Sequence, residues 1–168
     1  AIPFNVREVL GDTMKSLALR AHRKQIELSC HFAPNVPHFI EGDPNRLRQI
    51  VINLVGNAIK FTPEGGKLGL EVHGDRDGNK ITFTVWDTGI GIKETDLPRL
   101  FQPFVQLDAG LARESSGTGL GLALVTQMAR MHGGSTSVVS EPGKGSRFSI
   151  MLPWEPALAV DTVERLKT

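Results

Sequence analysis

A chain of 168 residues, 40% hydrophobic and 22% charged, has the make-up of one ordinary globular domain. Its formal charge of +1, with no run of Lys and Arg, leaves no electrostatic footprint for nucleic acid, and its apolar runs are far too short to cross a bilayer. A single cysteine, Cys30, excludes an internal disulfide, and without a visible signal peptide the expected setting is a reducing cytoplasm. Ala1 stands where a methionine would start a whole protein, so the chain is expected to be an excised piece of a larger one.

Taken in chain order, Ile2, Phe4 and Val6 alternate like a short strand, and Val6, Leu10, Met14, Leu17 and Ala21 then follow a helical period. Ile26, Leu28, Cys30 and Phe32 alternate with polar residues as a half-buried strand does, until APNVPHF breaks it. GDPNRLRQ opens a second helix, with Asp43 as N-cap and Pro44 in its first turn. The apolar face of that helix is Leu47, Ile50, Val51, Leu54 and Ala58, and TPEGG ends it.

Two strand patterns follow, Leu68-Leu70-Val72 and Ile81-Phe83-Val85, joined by GDRDGNK. From Lys93 to Ser116 the periodicity is poor, as in loops and short helical turns. A Gly-rich loop then enters a helix with apolar positions at Leu120, Ala123, Leu124, Met128 and Met131, and Gly133 and Gly134 form its stop. A last hairpin turns through PGKG, and the tail from Trp154 to Thr168 has no assigned structure. This order predicts an α+β fold: a two-layer α/β sandwich whose mixed, mostly antiparallel sheet is covered by helices on one face.

The second helix carries an unexpected polar stripe. Spacings of four and three place Asn53, Asn57 and Lys60 on one side of it, flanked by Arg46 and Gln49. A solvated face accounts for any one of these alone, but such faces favour Glu, Lys and Arg over asparagine. An amide oxygen suits Mg2+, and a lysine beside it would meet phosphate as a point charge. Two glycine clusters lie downstream, DTGIGI and GTGLGL, and each could be a mere turn. The second opens a helix, where free N–H groups favour an anion. The first follows a strand and begins with Asp87, an acceptor suited to an exocyclic amine. Neither is a Walker loop or a dinucleotide fingerprint, because no GK[ST] follows and no βαβ crossover surrounds them.

In this order NLVGNAIKF, DTGIGI, LFQPF and GTGLGL resemble the N, G1, F and G2 boxes of a sensor histidine kinase. The resemblance runs from about Ile2 to Pro153, so residues 1–153 are expected to form the catalytic and ATP-binding domain and 154–168 a tail or linker. It implies the Bergerat ATP-binding fold shared with gyrase, the MutL repair proteins and heat-shock chaperone ATPases. It also implies that Asn57 gives its amide oxygen to Mg2+, that Asn53 supports the metal and phosphates, and that Lys60 reaches toward phosphate. Asp87 would accept the adenine amine, with Gly89 and Gly91 letting the loop bend around the base. Gly117, Thr118, Gly119, Leu120 and Gly121 would bring backbone amides onto the phosphates. VQLDAGLARESS corresponds to the ATP lid, Arg113 to its γ-phosphate arginine, and Phe101 and Phe104 to the lid's anchors. Ser115 and Ser116 depart from the bulky residue and glycine that many relatives carry there, which bears on lid geometry.

No HE and RTPL-like run, the family's phosphoacceptor box, is present. His22, His31, His38, His73 and His132 all read as surface or structural residues. The resemblance therefore implies an acceptor histidine on a dimerisation domain outside this chain, a downstream response regulator, a monomeric isolated domain, and a bacterial, cytoplasmic location. In hydrolytic members a glutamate lies four residues before the metal-binding asparagine; here that position is Asn53, which cannot act as a base at neutral pH. The remaining readings are a non-catalytic nucleotide-binding or interaction module, a hydrolytic ATPase, and a serine kinase of the same fold.

Overall fold

The computed structural model describes residues 2–75, 79–99 and 121–153. The chain begins with strand β1 (Ile2–Asn5) and helix α1 (Val6–Arg23), then β2 (Glu27–Phe32), β3 (Phe39–Gly42) and helix α2 (Pro44–Phe61). Strands β4 (Lys67–Asp75) and β5 (Lys80–Asp87), a 3-10 turn (Glu94–Arg99), helix α3 (Gly121–Met131), and strands β6 (Ser135–Glu141) and β7 (Gly145–Pro153) complete it. The main sheet has the order β2-β4-β5-β7-β6, with β2 and β4 parallel and every other pair antiparallel. This is the mixed, mostly antiparallel sheet that the pattern predicts.

Alternation along the strands creates the two layers. One face carries Leu68, Leu70, Val72, Ile81, Phe83, Val85, Phe148 and Ile150, all buried, and the helices pack on it. The opposite face carries polar groups that pair with one another. Glu71 accepts from Arg147 at 3.0 Å, and Thr84 and Ser149 share a hydrogen bond at 2.9 Å. Helix α2 lies between α1 and α3 and reaches both β4 and β5. Its expected apolar face is buried in full, at Leu47, Ile50, Val51, Leu54 and Ala58. Asp43 caps it, accepting from the backbone N–H groups of Asn45 and Arg46 at 3.0 and 3.3 Å.

Three features differ from the sequence-based expectation. After APNVPHF the chain forms β3, which pairs antiparallel with β1 in a separate two-stranded sheet. Four residues with one partner strand leave too short a pattern to stand out from a loop. Strand β2 forms at the edge of the main sheet with Leu28 and Phe32 half-buried as expected, but Cys30 on the same phase is exposed. In α3 the buried positions are Val125, Met128 and Ala129, while Leu124 and Met131 are 37% and 62% exposed. Met128 is buried as expected, but it shares its face with Val125 and Ala129 at the i, i+3, i+4 spacing, and Leu124 and Met131 sit beside that face. The strand connection at 76–78, the F box, the lid and the tail lie outside the described residues.

Two helices end in the same motif with different chemistry. At the end of α3 the amides of Gly133 and Gly134 donate to Arg130 and Ala129, and Gly133 has φ of 74°. At the end of α1 the amides of Gln25 and Ile26 donate to His22 and Ala21, but the residue at φ of 58° is glutamine. Both are Schellman turns, in which a left-handed residue favours glycine. Gln25→Gly is expected to stabilise the fold by about 1 kcal/mol, and Gly133→Ala to destabilise it by about the same. A Cβ at Gly133 would be 3.4 Å from its nearest neighbour, so backbone conformation alone sets that cost. Urea denaturation of both variants checks the opposite signs.

Candidate functional site

The polar stripe of α2 exists because its apolar residues commit the other side of the helix to the core. Asn53, Asn57 and Lys60 are each half-buried along the remaining side. The side-chain Nδ2 of Asn53 is buried and has no hydrogen-bond partner among the described residues. Such an unmet donor costs about 1–3 kcal/mol in an interior.

Asp87 stands at the end of β5, on the helix-facing phase of the sheet, and is 8% exposed. Its register partners are Leu68 on β4 and Ser146 on β7. Burial pushes its carboxyl pKa up from the ordinary 3.8, and backbone hydrogen bonds from Gly89 and Ser146 oppose the rise. The Gly89 amide donates to Oδ1 at 2.8 Å, closing a tight turn directly after the strand.

Glycine is required in this turn by close approach. A Cβ on Gly89 would lie 2.5 Å from the Phe61 carbonyl oxygen and 2.8 Å from Oδ1 of Asp87. Gly91 has φ of 72° and packs on the Glu141 carbonyl, where a Cβ would overlap it. The loop is fastened on both flanks. The Ile90 amide donates to Phe61 at the end of α2 (3.3 Å), and the Gly143 amide donates to the Ile90 carbonyl (2.7 Å). The Ile92 amide donates to the Ser140 hydroxyl at 2.8 Å. Thus the loop after Asp87 is one hydrogen bond from the last turn of the helix that carries the stripe.

The structure therefore brings together Asn53, Asn57 and Lys60 on α2, and Asp87, Gly89 and Gly91 on the loop beside its end. Gly121 opens α3, which packs against α2. Arg113, Gly117, Thr118, Gly119 and Leu120 lie outside the described residues, as do Phe101 and Phe104. Sequence reasoning missed two braces. Ser140 accepts from Ile92 and donates to the Gly145 carbonyl at 3.0 Å. Gly145, at φ of 113°, packs against the Asp87 backbone carbonyl, where a Cβ would overlap. The PGKG turn hints at Gly145, but nothing in the sequence marks Ser140.

A family model described as "Histidine kinase-, DNA gyrase B-, and HSP90-like ATPase" matches residues 42–156, well over half of the chain. The chain belongs to this ATPase family. Over 153 residues it is 45% identical to the sensor protein GacS of Pseudomonas syringae pv. syringae, covering 90% of this chain and 17% of that protein. Full-length ShkA, solved in complex with AMPPNP, aligns at a TM-score of 0.81 and 35% identity, covering 92% of this chain and 31% of the other. The catalytic domain of the histidine kinase ThkA aligns at 0.76 and 27% identity, covering 90% and 93%. The ATPase domain thus spans about a sixth of its curated relative GacS and nearly all of a lone kinase catalytic domain.

The residues fit a purine nucleotide. A buried carboxylate keeps acceptor capacity beyond one amide bond, as an exocyclic amine needs. The unmet Asn53 donor suits a phosphate oxygen, and Asn57 beside it offers the oxygen type that Mg2+ takes. Among the described residues no three His, Cys, Asp or Glu side chains could hold a metal ion together.

Asp87 also fixes a pH dependence. Its raised folded pKa means the native state holds the proton more tightly than the unfolded chain, so ionisation lowers stability as pH rises from 3.8 through the folded value. Asp87→Asn keeps an oxygen for the Gly89 amide and removes that penalty. Its urea midpoint at neutral pH is expected to equal or exceed that of the unsubstituted chain. The difference between the two should shrink toward pH about 4, in denaturation measured across that range.

Proposed function

We propose that this chain is the ATP-binding catalytic domain of a two-component sensor histidine kinase, which takes Mg·ATP and donates the γ-phosphoryl group to a histidine on a dimerisation domain. Asp87 carries the reading. A carboxylate buried at the end of a strand, against its own desolvation, is repaid by a ligand that brings an amine donor to it. The AMPPNP complex of ShkA and the likeness to the ThkA histidine kinase catalytic domain support the same reading.

In this account Asp87 accepts from the adenine amine, and Gly89 and Gly91 keep the loop thin enough to border the base. Asn53 donates from Nδ2 toward phosphate, Asn57 turns its amide oxygen to the metal, and Lys60 offsets phosphate charge. Mg2+, when bound, neutralises charge that develops on the transferring phosphoryl group. Arg113 and the 117–121 glycine loop hold the roles that the resemblance gives them, at the γ-phosphate and along the phosphate chain. The Asn53 amide is not basic near neutral pH, so the domain lacks a base to activate water at that position. Phosphoryl transfer to an oriented histidine needs positioning and charge neutralisation above all. A response regulator is the onward acceptor, and the domain works in the cytoplasm. Among the described residues no helix is long and apolar enough to cross a membrane.

Calorimetric titration with AMPPNP, with and without Mg2+, tests the site. Asn57→Ala is expected to lose about tenfold in affinity in the presence of Mg2+ and much less in its absence. An unchanged Mg2+-dependent affinity would overturn the metal assignment. The purified chain is also expected to hydrolyse Mg·ATP only slowly, and robust steady-state hydrolysis would contradict a phosphotransferase.

A further inference from the structure

The last four carbonyls of an α-helix have no partners inside it. At the end of α2, two of them are met by a side chain from a different helix. The ammonium of Lys24 donates to the carbonyls of Ile59 and Lys60 at 2.8 and 2.9 Å. The next carbonyl, Phe61, accepts from Ile90 in the Asp87 loop. A positive charge here also meets the negative end of the helix dipole.

Lys24 is itself held firmly. It is the C-cap of α1, and its amide donates to carbonyls of that helix's final turn. Its neighbours reach the same region, since Gln25 accepts from Gly65 at 2.9 Å and the Glu27 amide donates to Gly66 at 3.1 Å. The end of α1 therefore grips both the last turn of α2 and the loop that leaves it. That turn carries Lys60, and its end anchors the loop holding Asp87. The half of the stripe nearest the adenine loop is thus fixed from behind by one side chain.

We infer that Lys24 is a positioning residue for nucleotide binding. By capping Ile59 and Lys60 it sets the last turn of α2, and with it the direction of Lys60 and the seat of the Asp87 loop. The inference rests on the nucleotide reading proposed above, but the hydrogen bonds themselves do not. Charge-assisted bonds to two carbonyls make the grip stronger than a neutral cap. Without them a helix end opens locally at low cost, while the rest of the fold stays intact.

The test compares Lys24→Met, which keeps the approximate length of the side chain and removes its donors, with Lys24→Arg, which keeps the charge and has N–H donors for both carbonyls. Both are titrated with Mg·AMPPNP well below their unfolding temperatures, and amide exchange is followed without nucleotide. Lys24→Met is expected to bind about tenfold more weakly, with Lys24→Arg within about threefold of the parent chain. Faster exchange at the Ile90 and Gly65 amides is expected in Lys24→Met. A folded Lys24→Met with unchanged affinity would overturn the inference and leave Lys24 a contributor to stability alone. Should the parent chain bind no nucleotide, the nucleotide reading fails by itself, and unchanged exchange at Ile90 would then overturn the positioning role separately. If Lys24→Met does not fold, Lys24→Gln, with a shorter neutral donor, takes its place under the same two criteria.

Discussion

A helix that ends against other structure must find partners for its last carbonyls, and the whole site depends on how α2 meets that demand. It does so with groups from two separate parts of the chain: the ammonium of Lys24 on α1 and the amide of Ile90 in the loop after β5. The first joins two helices and the second joins a helix to the sheet. The polar stripe and the buried carboxylate consequently share one rigid frame, although Lys60 and Asp87 are well apart in sequence.

The same frame explains why unfavourable features persist. The Asn53 donor is buried without a partner among the described residues, Asp87 is desolvated, and Gly89 leaves no room for a Cβ between Phe61 and Asp87. The first two lower stability in the absence of ligand, and the three lie along α2 or against its last residue. The core offsets them with a continuous apolar interior, from Leu10 and Leu17 on α1 through Leu54 on α2 to Phe83 on β5. Features that a stability criterion alone would remove, gathered in one place, are a physical signature of a binding site.

Much of this was legible in the sequence, for reasons that differ by element. Period alone revealed α2, because Leu47, Ile50, Val51, Leu54 and Ala58 leave one side over, and the asparagines occupy it. Asp87 was legible because a strand pattern runs directly into DTGIGI. Strand β3 was hidden by its length and by having β1 as a distant partner. The face of α3 was read correctly at Met128 and misplaced at Leu124 and Met131, which are larger apolar side chains than Ala129, whereas burial follows geometry. Lys24 and Ser140 were invisible: a lysine at a helix end and a serine in a strand carry no signal until the fold shows which carbonyl or amide lies opposite.

The central claim is that α2 presents one face to the core and the other to a magnesium-bound nucleotide. Side-chain amide resonances of Asn53 and Asn57, and the backbone amide of Gly89, report on this directly during a titration with AMPPNP. Gly89 is expected to shift with nucleotide alone, and the Asn57 side chain to shift further only when Mg2+ is added. Asn53 and Asn57 amides that stay unmoved at saturating Mg·AMPPNP would contradict the account.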